Sequence, residues 1–581
     1  MKLTTTIRTK DTPSPPAAPP DRGVPIPAQN HGGKCEPPPW GTFWVIAAAG
    51  LTLRLCLLWI AGDLDLQSDE ANYVYLGIAW NHFGFYFDQH RYLWPPGYSW
   101  LMARSLDLFG ENGMLAVKYL QVFASVSIGM TTMLFAVRLF GLRAARIAGW
   151  IWVAYLPLAA FTHLLWNETL FSALFLPGLY QILRLLQLGE DPRATRRVIV
   201  AGLCLAGSLY LKESPQFLVV VLALLLVPFA GGLIEGVRRA TLLLLVVGAC
   251  ILPWGMRNQN VYGKFIPLGT SLGENAFNGL NRDYRNFDLI PIEVERERRD
   301  LRSTRTVARH WFDYVEPIPY GSLQERIAAL RKETSETLDA NRDRVAAGGE
   351  PDPRAEVLQA RLLHSSKQQN RLAAQTPQQA PETLVDFAAD SGWLRAEPPD
   401  VINAAQRSEV NTARGLRFAR EHPGWYVRSR IRKLADLLAP VSFFTRHQAL
   451  GHYDGTPLGG NLLRKLTSLW AVACPVLVLL LGIVGYTTVL RNRPAWLLFG
   501  CTLGYFLCTT LLVAMSRFRI PTIPLLIVLA AGFVVHGRSV EGPARKILAT
   551  LSALLVLFLW WITWPENSMV FSEMVWRRYD T

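Results

Sequence analysis

Between positions 63 and 75 the chain reads Asp63-Leu64-Asp65-Leu66-Gln67-Ser68-Asp69-Glu70-Ala71-Asn72-Tyr73-Val74-Tyr75. Carboxylates so closely spaced can serve as a general base and a neighbour that orients it or shifts its pKa. They follow directly on an apolar run from Trp40 to Gly62 that is long enough to cross a bilayer. An ionised carboxylate in hydrocarbon costs several kcal/mol, so the stretch lies at or beyond the interface. Other apolar runs end in cations on what reads as the same side: Lys212, Arg257, Arg517 and Arg519. Arginine offers a phosphate two parallel charge-assisted bonds, which makes these four candidates for holding one at headgroup depth. Taken singly, each is better explained by a snorkelling flank, and a lone Asp-Glu pair by a solvated loop. Several such ends facing clustered carboxylates point instead to one shared polar cavity.

The elements that must position these residues are membrane spans. Half of the 581 residues are hydrophobic and 19 are Trp, a composition of a polytopic membrane protein rather than a soluble one. Apolar runs fall at roughly 40–62, 115–137, 145–164, 168–187, 198–212, 215–233, 240–256, 465–489, 495–515, 520–536 and 546–564, about 11 in all. The net charge of +14 does not call for nucleic acid. Arg138, Arg143 and Arg146, then Arg193, Arg196 and Arg197, then Arg238 and Arg239 fall in alternate short loops. So do Arg491 and Arg493, then Arg538, Arg545 and Lys546. The positive-inside rule puts all of them on the cytoplasmic side, with the acidic stretch outside. The fold expected is all-α and polytopic, with a mixed, mostly helical outer segment.

Five regions follow. Residues 1–39 are Pro-rich without an apolar core and read as a disordered cytoplasmic tail rather than a signal peptide. Residues 40–256 form a first transmembrane module of about seven spans. Its first outer loop, 63–113, is rich in Trp and Tyr, which suits short helices along the membrane surface. Residues 257–464 form an outer domain, expected to open with an extended stretch at Phe265–Thr270 and a loop at Gly273–Gly279. An Arg/Glu/Gln/Ala-rich insertion occupies about 285–400, and a cationic amphipathic helix suited to an anionic lipid surface runs from Asn411 to Leu438. Residues 465–564 supply about four more spans, and 565–581 an outer tail. Of seven Cys, six lie in or beside apolar runs and none has metal-ligand spacing. No glycine-rich nucleotide loop and no internal repeat is visible.

Five motifs, in this order and spacing, resemble the GT-C superfamily of polytopic glycosyltransferases. They are Asp69-Glu70-Ala71-Asn72-Tyr73, Trp94-Pro95-Pro96-Gly97-Tyr98, Asn167-Glu168-Thr169-Leu170, Pro253-Trp254-Gly255-Met256-Arg257-Asn258 and Arg517-Phe518-Arg519-Ile520-Pro521. The branch most similar comprises bacterial relatives of the dolichyl-phosphate-mannose protein mannosyltransferases and lipid A aminoarabinose transferases. The resemblance covers about 40–280 and 405–540. It departs at Lys212-Glu213, where relatives commonly carry Arg, and at Pro96-Gly97, where many have Pro-Leu.

The resemblance implies a polyprenyl-phosphate sugar as donor and an envelope glycolipid, polysaccharide or protein as acceptor. Transfer is expected on the periplasmic face of the bacterial inner membrane, by in-line displacement with inversion. On this reading Asp69 takes the acceptor's proton and Glu70 orients or tunes it. Lys212, Arg257 and one of Arg517 and Arg519 meet the donor phosphate. Tyr73, Tyr98, Glu168 and Asn258 are candidate sugar or acceptor contacts. Some members use a divalent cation, but this sequence supplies no evident ligand set, so the metal stays open. Two other classes compete: a transporter or flippase for lipid-linked sugars, which should show repeats and mid-membrane charge, and an assembly protein with a docking domain.

Overall fold

The computed structural model describes residues 39–62, 64, 66, 69–83, 86, 93–189, 191–280, 336, 339–340, 342–347, 404–449, 451–490, 492–508, 516–537 and 542–576. The expected N-terminal tail up to Pro38, nearly all of the 285–400 insertion, and Asp63 and Asp65 lie outside these residues. The described chain is helical, with no strand among the described residues. Among the described residues eight helices are long and apolar enough to cross a membrane, and a shorter apolar helix spans Gln216–Phe229.

The first helix, α1 (Trp40–Ala61), stops at Gly62, whose left-handed backbone turns the chain out of the bundle. The acidic motif opens α2 (Asp69–Phe83), and Pro96 precedes α3 (Gly97–Phe109). The next helical run, α4 (Gly113–Ala154), is folded back on itself at Gly141, which has φ 81°. A Cβ on Gly129 would meet the Trp152 ring at 2.6 Å, and one on Gly149 would meet Met133 Sδ at 2.7 Å. Residues so far apart in sequence touch only because the two arms lie antiparallel. The expected spans at 115–137 and 145–164 are these two arms, which accounts for part of the difference between eight and about eleven.

Trp152 also lies against Gly50 of α1, and the Arg54 guanidinium stacks on its ring at 4.1 Å. Arg54 is fully buried within a span and donates to the carbonyls of Gly50 and Trp152 at 3.1 and 3.3 Å. A cation in this setting is sustained by carbonyl dipoles and a π face rather than a counter-ion.

After α5 (Leu156–Ala160) and an irregular segment comes α6 (Glu168–Gln187), then α7 (Ala194–Leu211) and α8 (Gln216–Leu226). The short connection between α6 and α7 makes them antiparallel neighbours, so the start of one meets the end of the other. Helix α9 (Leu233–Tyr262) ends on the left-handed Gly263. The segment expected as a Gly/Asn-rich loop is instead α10 (Ser271–Leu280), which packs on α11 (Ala404–Glu421). Gly273 permits the approach, since a Cβ there would meet the Ser408 carbonyl at 2.2 Å. Packing has overridden local helix propensity.

The expected cationic helix over 411–438 breaks at Pro423 into α11 and α12 (Pro423–Leu437). Its charges do not all face outward. Arg430 and Lys433 are buried, with Arg430 donating to the Gly279 carbonyl, while Val427, Arg428 and Ile431 are exposed. The buried α13 (Phe443–Ala449) precedes α14 (Asn461–Val489) and α15 (Arg493–Cys508). A 3-10 segment, Ser516–Thr522, leads into α16 (Ile523–His536). The last helix, α17 (Pro543–Trp576), continues well past the expected end of the span at 564.

The bundle has two chemically distinct ends. At one, Arg138 bonds Gln187 at 2.7 Å, Arg197 bonds Gln181 at 3.1 Å, and Arg493 lies over the Phe229 ring at 5.7 Å. The arginine-bearing short loops thus share one end. The acidic motif gathers its partners at the other.

Candidate active site

The segment 161–168, between α5 and α6, is the hub of this second end. Four consecutive residues reach five partners. The Leu165 N–H donates to Glu70 Oε1 at 2.6 Å. The Trp166 ring underlies the Arg517 guanidinium at 5.1 Å. Asn167 Nδ2 donates to the Tyr73 hydroxyl at 2.8 Å and to the Leu211 carbonyl at 2.6 Å. Glu168 Oε1 accepts from Lys212 Nζ at 2.9 Å.

Helix ends set these charges. Asp69 and Glu70 occupy the first turn of α2, and Glu168 the first turn of α6, where exposed N–H groups favour negative charge. Lys212 caps the C-terminus of α7 with an extended backbone, φ −152° and ψ 117°, so its side chain leaves the helix toward the start of α6. Lys212 Nζ also lies 4.9 Å from the Phe518 ring centre.

Two ion pairs converge here. Arg517 Nη2 meets Asp69 Oδ2 at 2.5 Å, and Lys212 meets Glu168. Arg517 is wedged among the rings of Trp166, Phe443 and Phe518, at 5.1, 5.7 and 5.5 Å. The Asp69 side chain is 19 % exposed, whereas Glu70 is 3 % exposed. Asp69 can therefore be reached from outside and Glu70 cannot. Within the buried part, Glu168 Oε2, Arg517 Nε and Trp166 Nε1 have no hydrogen-bond partner among the described residues. Polar atoms left so cost about 1–3 kcal/mol each unless something fills the space.

The expected phosphate-binding cations separate. Arg517 joins the acidic cluster. Arg519 turns away and is spent on backbone carbonyls, donating to Leu437, Ala439 and Val441 after α12. Arg257 lies to one side. Its guanidinium stacks on Trp254 at 4.9 Å and donates to the Tyr86 carbonyl and to Asn258 Oδ1. It borders the cluster through Tyr86, whose hydroxyl bonds the Trp94 carbonyl at 3.1 Å, and Trp94, whose ring meets Tyr73 at 4.4 Å.

Of the expected sugar or acceptor contacts, Glu168 lies in the cluster and Tyr73 packs against it. Tyr98 and Asn258 are fully buried and already engaged. Tyr98 donates to Gln121 Oε1 at 2.9 Å, and Asn258 donates to the Ile266 carbonyl at 2.8 Å. Burial, then Glu70 and Glu168, push the Tyr98 phenol well above its usual range, so it remains a neutral donor. The aromatic residues of the first outer loop are thus partly misassigned by the interfacial reading: Tyr73, Trp94 and Tyr98 face inward, while Trp100 is exposed.

Residues outside the expected site set complete the arrangement. Gln121 of α4 is a lone amide in an apolar run, and His163 and Glu213 stand at the ends of apolar runs. Tyr453 bonds His163 Nε2 at 2.8 Å and lies near Glu70. Burial, then Lys118, lowers the His163 imidazole to about 3, so it stays neutral. Glu213, beside Lys212, is buried and accepts from the Ser271 N–H at 3.0 Å and from the Ser271 hydroxyl. Burial raises it to about 7 despite those bonds. Among the described residues no group of three His, Cys, Asp or Glu converges as metal ligands. A divalent cation therefore gains no ligand set from them.

No protein-family model matches the chain, and no curated protein does. Several solved structures align with it. The apo oligosaccharyltransferase of Archaeoglobus fulgidus aligns over 92% of this chain and 56% of its own, at 13% identity and a TM-score of 0.43. The same organism's AglB, in complex with an inhibitory peptide and a dolichol-phosphate, aligns over 93% and 56%, at 13% identity and 0.42. ArnT from Cupriavidus metallidurans bound to undecaprenyl phosphate aligns over 86% and 79%, at 15% identity and 0.30. The chain spans 56% of the length of the archaeal structures.

Proposed function

We propose that this chain is a polytopic glycosyltransferase of the GT-C type. It would move a sugar from a polyprenyl-phosphate donor to an envelope glycolipid, polysaccharide or protein, on the periplasmic face of a bacterial inner membrane. The observation that carries the reading is the pairing of Asp69 with Arg517 and of Glu168 with Lys212 around one hub at one end of the bundle.

An acceptor hydroxyl attacks the anomeric carbon as the bond from that carbon to the phosphate oxygen breaks. The departing polyprenyl phosphate takes the electron pair, and inversion follows from in-line geometry. Its charge grows from one to two during the step, so cations that meet it are worth more in the transition state than in the ground state. Arg517 and Lys212 are the cations in reach. Both are paired with carboxylates, so an arriving phosphate competes with Asp69 for Arg517. Once displaced, Asp69 is free to accept the acceptor's proton. Loading the donor thereby readies the base. Arg257, stacked beside Tyr86 and Trp254, stands where it could meet a second donor oxygen or the acceptor.

The test uses the full chain in proteoliposomes with a radiolabelled panel of polyprenyl-phosphate hexoses and pentoses, and envelope extract as acceptor. Asp69→Asn should abolish transfer while donor still binds. Unchanged transfer removes Asp69 from the chemistry. Movement of the labelled lipid across the bilayer by wild-type protein, with no transfer, makes the chain a flippase instead.

A further inference from the structure

The wild-type amide of Gln121 does no chemistry, yet the hub rests on it. Gln121 is fully buried on α4, and all of its hydrogen-bonding capacity runs toward the site. Its Oε1 accepts the Tyr98 hydroxyl at 2.9 Å. Its Nε2 donates to the carbonyls of Leu164 at 2.7 Å and Thr162 at 3.2 Å. The Leu164 carbonyl belongs to the same peptide unit as the Leu165 N–H that holds Glu70 Oε1, and the Thr162 carbonyl lies two units before it. Residues 161–166 form no regular helix, and their ladder is limited to turns such as Thr162 to Ala159 at 3.1 Å. The side-chain amide supplies fixation that backbone hydrogen bonding does not. A carboxylate at 3 % exposure depends on the N–H aimed at it, because water cannot replace a lost donor.

We infer that Gln121 is the positioning residue for Glu70: through the Leu164–Leu165 peptide it fixes the carboxylate that neighbours the base. The functional half of this inference rests on the transferase reading above, and the structural half does not. Asp69, which meets Arg517 from the other side, is outside this chain of bonds. Donor affinity should therefore survive loss of the amide while turnover does not.

Three variants in the full chain test it. Gln121→Met keeps length and removes every polar contact. Gln121→Glu keeps the acceptor for Tyr98 and removes both donors, which covers the case in which the methionine variant does not fold. Glu70→Met removes the oxygen that accepts from the Leu165 N–H. Hydrogen–deuterium exchange of the peptide covering 161–168 should quicken about ten-fold or more in all three, the scale of one buried hydrogen bond lost. With whichever panel donor the wild type turns over, kcat of both Gln121 variants should fall about ten-fold with donor KM held within about two-fold. Unchanged exchange overturns the inference, and so does faster exchange with kcat intact. A rise in KM at constant kcat does the same, since it assigns Gln121 to donor binding. A wild type that turns over no donor but shows the exchange response sinks the transferase reading and leaves the link from Gln121 to Glu70 standing.

Discussion

Arg517 and Arg519 lie two residues apart, and the sequence alone could not choose between them. Geometry divides their work, and substitution should show it. Arg517→Lys keeps the charge but loses the planar group stacked among Trp166, Phe443 and Phe518. It should lower kcat/KM about 10²-fold with little change in thermal unfolding. Arg519→Lys should do the reverse, because three carbonyls lose donors. Its Tm in detergent should drop while activity per folded molecule is kept. Glu213 makes a second expectation at this scale. Its carboxyl is raised from 4.5 to about 7, so the folded state binds its proton more tightly than the unfolded state does. The stabilisation is complete below about pH 4.5 and is lost as pH rises through 7. It amounts to about 3 kcal/mol at most. Unfolding in detergent followed from pH 5 to 8 should show wild type losing more stability than Glu213→Gln, which carries no proton to lose.

Helices were the legible scale. Runs of apolar residues located α1, both arms of α4, α6, α7, α9, α14, α16 and α17, because hydrophobic length is written directly in composition, but not every end: the second arm of α4 stops at Ala154 rather than 164, and α9 and α17 run on to Tyr262 and Trp576. The short helices expected in the first outer loop are present as α2 and α3, and α2 takes in Asp69 and Glu70 as its first turn. What could not be read was which face of a polar helix would be covered. The spacing of cations over 411–438 defines two faces, but only the packing of α12 shows that Arg430 and Lys433 are on the inner one. Candidate site residues were legible where charge sat at the end of an apolar run, as with Asp69, Glu168, Lys212 and Arg517. Gln121 is marked locally only as a lone amide in an apolar run, and the contacts through which it and Trp166 matter are with distant segments that no local pattern announces. The folded-back α4 gives a prediction of its own. At Gly141 a Cβ would meet nothing within 4 Å, so Gly141→Ala costs backbone strain alone, about 1–3 kcal/mol for φ 81° with ψ −179°. Gly129→Ala drives a methyl into the Trp152 ring and should cost about 1–3 kcal/mol through packing instead, both read by thermal unfolding in detergent.

Across the whole molecule, two ends of opposite character fit a bilayer between them. Exposed Trp40 and Trp44 stand at the start of α1 and exposed Trp59 near its finish. The rise from residue 40 to residue 59 is about 29 Å, close to the hydrocarbon thickness. Trp561 and Trp564 of α17 are also exposed, as expected of an aromatic girdle. Sidedness can be checked with single cysteines in a chain whose native cysteines are replaced. Gly232, beside α9 at the arginine-rich end, and Gly424, at the start of α12, both have open space around a new Cβ. Charged maleimide should label Gly424→Cys from the periplasmic side and Gly232→Cys only after the membrane is breached. Labelling of both from one side would break the proposed topology.

The run from Leu165 to Glu168 gives each successive residue its own distant contact: α2 through Glu70, the 516–522 turn through Arg517, α2 and α7 through Asn167, and α7's cap through Glu168. Such a stretch behaves like the bitting of a key, in which adding a single notch shifts every later cut. Point changes there would spoil one contact each. A one-residue insertion or deletion would unseat all four together, which makes this the place where chain length, more than any individual side chain, is held fixed.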